Sequence, residues 1–125
     1  MKKVIFSNQA PAAIGPYSQA IEVNNLIFVS GQLPVDVNTG EFVSGGVAEQ
    51  TRQSLTNMQH ILKEAGLAME NIVKTTVFLA DMSLFADMNE VYATFFEGSF
   101  PARSAFAVKA LPKGALVEIE CIASR

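Results

Sequence analysis

Between residues 47 and 65 the apolar pattern of the chain takes on helical spacing. Val47, Thr51, Leu55, Met58, Leu62 and Ala65 follow one another at intervals of four, four, three, four and three. That spacing places them on one face of an amphipathic helix, and Gly66 is a natural stop. The rest of the chain is patterned mostly for strands. Residues 3–7 form a short apolar strand candidate, and residues 17–23 and 26–30 flank Asn24-Asn25 as a hairpin. Residues 72–80 are rich in β-branched side chains. Residues 104–110 and 115–123 are two further strands on either side of Leu111-Pro112-Lys113-Gly114. A second helix starts at Asp81 or Ser83, either of which suits an N-cap. It carries Leu84, Phe85, Met88, Val91, Tyr92, Phe95 and Phe96, and Pro101 follows it. The order β-β-β-α-β-α-β-β predicts one α+β domain over residues 1–125, a mixed or mostly antiparallel sheet with both helices packed on one face.

Such a sheet has a second, uncovered face. The last strand describes it. Val117, Ile119, Cys121 and Ala123 point one way, and Leu116, Glu118, Glu120 and Ile122 point the other. A face that mixes apolar residues with carboxylates, on a chain of 125 residues, predicts cover by a second copy with polar clefts where the sheets meet.

Composition narrows the chemistry. Half of the residues are apolar and nine are Phe, so a packed core can form. The net charge of −3 argues against a nucleic-acid module, which normally shows a basic stripe. No apolar run approaches the ~20 residues that span a bilayer, and Val4-Ile5-Phe6 is too short for a signal peptide. We expect a cytoplasmic protein. One histidine, His60, and one cysteine, Cys121, cannot form a zinc cluster or a Cys-His site. No glycine-rich nucleotide motif is present, so no cofactor is expected.

Carboxylates, hydroxyls, arginine and backbone groups are left. Arg103 opens an apolar strand, where a guanidinium is costly unless its fork meets an anion. From position alone, that anion is a ligand or an inter-strand partner, Glu118 or Glu120. Those two share one strand face about 6.5–7 Å apart. They can divide acid and base roles or simply be surface charges. Cys121, on the apolar face, reads as a buried structural thiol.

Taken together, Phe100-Pro101-Ala102-Arg103-Ser104-Ala105, Leu111-Pro112-Lys113-Gly114 and Val117-Glu118-Ile119-Glu120 resemble the C-terminal signature of the RidA (YjgF) family. The stretch from Ala10 to Gln19, Phe28-Val29-Ser30-Gly31-Gln32 and Val73-Lys74-Thr75-Thr76-Val77-Phe78 extend the resemblance over essentially the whole chain. It implies a chorismate-mutase-like fold and a homotrimer with clefts between subunits. It also implies cofactor-free deamination of 2-iminopropanoate and 2-iminobutanoate, which pyridoxal-phosphate dehydratases release from serine and threonine. By the same resemblance Arg103 holds the substrate carboxylate and Glu118 orients or activates the attacking water, with Glu120 secondary. Tyr17 and Ser30 line the cleft, Gly31 brings backbone close to the ligand, and Phe85 and Asn89 reach in from a neighbouring subunit. Many members carry cysteine where this chain has Ala105, so a contact there runs through backbone.

The alternative is a regulatory module that binds a small 2-keto acid without turnover; Glu118 favours catalysis, because carboxylate binding alone does not need it. Ribonuclease or chaperone-like behaviour, known for some relatives, finds little support in the negative net charge. A chorismate mutase ranks last, because a dicarboxylate substrate calls for more cationic groups than Arg103 supplies.

Overall fold

The computed structural model describes every residue from Met1 to Arg125. Its strands are β1 (Lys3–Ile5), β2 (Ala20–Val23), β3 (Leu26–Gln32), β4 (Ile72–Leu79), β5 (Ala102–Ala107) and β6 (Val117–Ser124). Its helices are α1 (Val47–Glu64) and α2 (Phe85–Ala93). The predicted element order and fold class hold: both helices pack on one face of a single mixed sheet. Boundaries differ. The strand expected from residue 17 begins at Ala20, because residues 17–19 belong to the loop wall described below. The second helix stops at Ala93, and Phe96 is buried beyond its end. Asp81 caps a short 3-10 turn, Met82–Leu84, accepting from Ser83 N–H at 2.8 Å.

The sheet order is β1-β2-β3-β6-β4-β5, antiparallel throughout except for the β4–β5 pair. Two parallel neighbours need a crossover, which α2 supplies. The final strand is inserted in the middle of the sheet, so residues near the C-terminus sit beside β3 and β4. The hairpin at Asn24-Asn25 has φ of 50° and 66°, the doubly left-handed geometry of the turn that best joins twisted antiparallel strands.

Helix α1 ends as its sequence predicts. Gly66, at φ 75°, lets Leu67 N–H reach Leu62 O and Gly66 N–H reach Lys63 O, which satisfies the last carbonyls. Its buried face is wider than the expected stripe and includes Gln50, Ser54, Asn57 and Ile61. Two of these polar residues tie the helix to loops. Asn57 Nδ2 donates to Leu33 O and Val35 O, and Gln50 Oε1 accepts from Leu116 N–H. Along β6, Val117, Ile119, Cys121 and Ala123 are buried under the helices, as their alternation predicts.

The other face is open. Val4, Ile21, Phe28 and Ile122 form one cross-strand row there, and Phe78 and Phe106 pack edge to face at 5.6 Å. Phe28 is 41% exposed and Phe106 44%. No helix of the structure is long and apolar enough to cross a membrane.

Candidate functional site

The predicted site residues fall into two groups on opposite faces of the sheet. Arg103 pairs across β4 with Thr75, while Glu118 pairs with Phe78. Paired residues in a sheet share a face, and Thr75 and Phe78 stand three apart, so they point to opposite faces. Glu120, opposite Thr76, shares the face of Glu118. The inter-strand ion pair between Arg103 and either glutamate is therefore not formed.

Arg103 lies on the helix side of the edge strand β5. One guanidinium nitrogen donates to Asn89 Oδ1 at 2.6 Å. Its carbon sits 5.4 Å from the Phe85 ring centre and 4.9 Å from that of Tyr92, which is cation–π range. Tyr92 is held in turn by a buried 2.7 Å hydrogen bond to Thr75. The cation is thus aimed by three α2 side chains, and most of its five N–H donors are left for an anion. A cavity of about 440 Å³ opens in front of it, walled by Asn89, Tyr92, Phe100 and Pro101. Ala105, two residues along, turns its side chain to the core, so only its backbone at the sheet edge can meet a ligand.

The second group surrounds Glu118 in a cavity of about 560 Å³ that also takes in Tyr17, Ser30, Gly31 and Glu120. Its geometry depends on an irregularity the sequence did not announce. Strand β3 does not end at Ser30. It runs to Gln32 through a bulge, with Val29 opposite Cys121 and Gln32 opposite Ile119, so that Ser30 and Gly31 together face Glu120. A bulge of this kind bends the strand and re-aims side chains. Here it brings Gly31 against Glu118: a Cβ at Gly31 would lie 2.6 Å from Glu118 Oε2. The glycine makes room for the carboxylate itself, which is more than the close backbone approach expected of it.

Ser30 is fixed on both sides. Its N–H donates to Gln19 O at 2.9 Å and its hydroxyl to Ser18 O at 2.6 Å. With its proton committed, Ser30 Oγ presents only lone pairs to the cavity. The wall bearing Tyr17 is held by the buried amide of Gln19. Its Oε1 accepts from Ser7 N–H, and its Nε2 donates to Ser7 O and Pro11 O. Burial, and then the nearby Glu120 charge, raise the pKa of the Glu118 carboxyl. A carboxylate held in this way binds a proton more readily than one free in water. Cys121 lies under the sheet, where burial pushes its thiol up to about 12 and leaves it unreactive.

The two cavities offer complementary groups. One presents a cation that can meet a carboxylate. The other presents a carboxylate that can accept a proton, beside a hydroxyl lone pair. Sequence reasoning missed Gln19, Gln32, Phe42 and Pro112 as walls of the second cavity. It also missed Tyr92 as a support for Arg103, although Tyr92 stood on the predicted helix face.

The sequence profile of the family described as Endoribonuclease L-PSP matches residues 7–125. A mouse protein named 2-iminobutanoate/2-iminopropanoate deaminase is 54% identical over 98% of this chain and 91% of its own length. Among solved structures, YyfA of the Rid protein family from Yersinia pestis is 48% identical with a TM-score of 0.97, covering all of both chains. TdcF of E. coli, solved with bound serine, is 44% identical with a TM-score of 0.94 over 98% of both chains.

Proposed function

The chain belongs to the Endoribonuclease L-PSP family, that of the RidA and YjgF proteins, and from that premise we propose that it hydrolyses 2-imino acids such as 2-iminopropanoate and 2-iminobutanoate to 2-keto acids and ammonia. The identity to the curated mouse deaminase carries this reading, and the chemistry of the two half-sites fits it.

Arg103 grips the substrate carboxylate through two parallel N–H donors, which also fixes the direction of the imine carbon. Glu118 accepts a proton from a water that attacks that carbon of the protonated imine, giving a neutral carbinolamine. The same carboxyl then returns the proton to the amino nitrogen. The C–N bond breaks and ammonia leaves, while the hydroxyl proton passes to the Glu118 carboxylate and the carbonyl forms; Glu118 then gives that proton up to solvent. Ser30 Oγ, an acceptor only, orients the water or the nitrogen-bound hydrogen. Imines hydrolyse unaided in water, so clamping and a positioned base suffice without a cofactor.

Because Arg103 and Glu118 occupy opposite faces of one sheet, a complete cleft needs two copies. Arg103, Asn89, Phe85 and the Ala105 backbone come from one, and Glu118, Tyr17, Ser30 and Gly31 from its neighbour. Such a head-to-tail contact can close into a ring, and we take that ring to be a homotrimer in the cytoplasm. The exposed apolar rows on the open sheet face supply surface for it. Cleavage of RNA does not fit this cavity, since its two carboxylates and the chain's net charge of −3 repel phosphodiesters.

The test couples a purified serine/threonine dehydratase to this protein and follows keto-acid release, with semicarbazide trapping free imine. Acceleration by the wild type and none by Arg103→Ala is expected. No acceleration by the wild type with either amino acid sinks the deaminase reading and leaves a binder of 2-keto acids.

A further inference from the structure

The Leu111-Pro112-Lys113-Gly114 turn has no part in the chemistry above, yet it shapes the Glu118 half-site. Of the residues that wall that cavity, Lys113 is the only cation, set against two carboxylates, Glu118 and Glu120. Lys113 is also held in an unusual backbone state. Its φ is 55° and ψ 28°, the left-handed region, and Gly114 follows at φ 70°. A side chain other than glycine or asparagine is disfavoured there. The turn is locked by Gly114 N–H to Leu111 O and Ala115 N–H to Pro112 O, and Ala115 beyond it is buried. No ion pair within the chain accounts for the lysine, because the only salt bridge joins Arg125 to Glu22. A disfavoured conformation kept at the lip of a functional cavity points to a use for the side chain.

We propose that Lys113 is a substrate-capture residue, a cation at the cleft mouth that offsets the paired carboxylates and draws in the small 2-imino acid anion. This rests on the deaminase reading. Without Lys113, an entering carboxylate meets two like charges before it reaches Arg103. The role is to steer the anion, so it appears in substrate capture and depends on salt.

The experiment compares Lys113→Gly, Lys113→Glu and Lys113→Arg with the wild type, supplying imine from an amino-acid oxidase at low and high ionic strength. Glycine suits the left-handed position, so Lys113→Gly should melt at or above the wild-type temperature, and unfolding cannot explain a loss. The expected result is KM raised about three- to tenfold in the glycine variant and more in the glutamate variant, with kcat little changed. Lys113→Arg should restore capture, and about 0.5 M salt should erase the differences. If the wild type is active and Lys113→Gly keeps its KM and salt dependence, the inference falls while the deaminase reading stands. If the wild type itself is inactive, the deaminase reading falls and calorimetric binding of 2-ketobutyrate decides about Lys113. Salt-sensitive weakening in Lys113→Gly then supports it, and equal or absent affinity overturns it.

Discussion

Two inactive variants of this protein should restore activity to each other when their subunits are mixed. Arg103→Ala removes the carboxylate clamp and Glu118→Gln removes the base. Loss of a positioned general base typically lowers rate by about 10²–10⁴, and misplacing the substrate can cost about 10², so each pure variant should retain about 1% of activity or less. Because the two residues lie on opposite faces, fixed by their pairing with Thr75 and Phe78, the proposed cleft takes them from different copies. After co-refolding at equal amounts, the copy that donates Arg103 to a cleft is intact there about half of the time. The copy that donates Glu118 is independently intact about half of the time. About one quarter of clefts in a head-to-tail ring then hold both wild-type groups. Keto-acid release from the mixture should approach about a quarter of the wild-type rate, at least tenfold above either parent. Recovery that stays at the level of the parents, in a mixture shown by mass spectrometry to contain hybrid oligomers, would refute the two-copy cleft. It would mean that both groups act within one chain.

Four further outcomes rest on the same geometry. Gly31→Ala puts a methyl group 2.6 Å from the Glu118 Oε2 position. The far end of that side chain can swing away, so chemical denaturation should show a change within about 1 kcal/mol, while kcat falls at least about tenfold. Glu118 has its pKa raised in the folded chain, first by burial and then by Glu120. An acid with a raised folded pKa weakens the fold as pH climbs from its unfolded value through its folded one. Glu118→Gln should therefore raise the melting temperature at pH 7 more than at pH 4 while abolishing turnover. Glu120→Gln should shift the acid limb of the wild-type pH–rate profile to lower pH. Tyr92→Phe breaks the buried 2.7 Å bond to Thr75 and strands that hydroxyl, so equilibrium unfolding should show a loss of about 1–3 kcal/mol.

The pattern of residues carried the fold because the elements that define it are strongly phased. The α1 stripe, the Asn24-Asn25 turn and the alternation of β6 each admit one reading, and each has a local physical cause in the structure. The site was legible only as a set of residues, and its arrangement was not. Strand β5 reads Ala102, Arg103, Ser104, Ala105, Phe106, Ala107, with small residues on both faces. Its own pattern therefore gives no phase, and the side on which Arg103 emerges is set by pairing with Thr75, a long-range contact. The bulge at Ser30 and Gly31 was hidden for a related reason. A glycine that follows a strand-like run looks like an ending, and only the continued pairing of Gln32 with Ile119 shows that the strand goes on.

That hidden arrangement has a chemical consequence. A guanidinium and a carboxylate within reach on the same face of one sheet would find each other, and an ion pair of that kind would occupy both groups that the proposed reaction uses. Setting them on opposite faces of one sheet prevents this within the chain. Asn89, Phe85 and Tyr92 hold the cation in place without neutralising it. Gly31 gives the carboxylate its space, and burial, then the Glu120 charge, raise its pKa. In the proposed cleft the two groups face each other only across the contact between copies, with the carboxylate of a substrate against the guanidinium and its imine carbon toward Glu118. Assembly in this view does more than cover the apolar rows of the open sheet face: it lets a small chain keep opposite charges apart until a substrate stands between them.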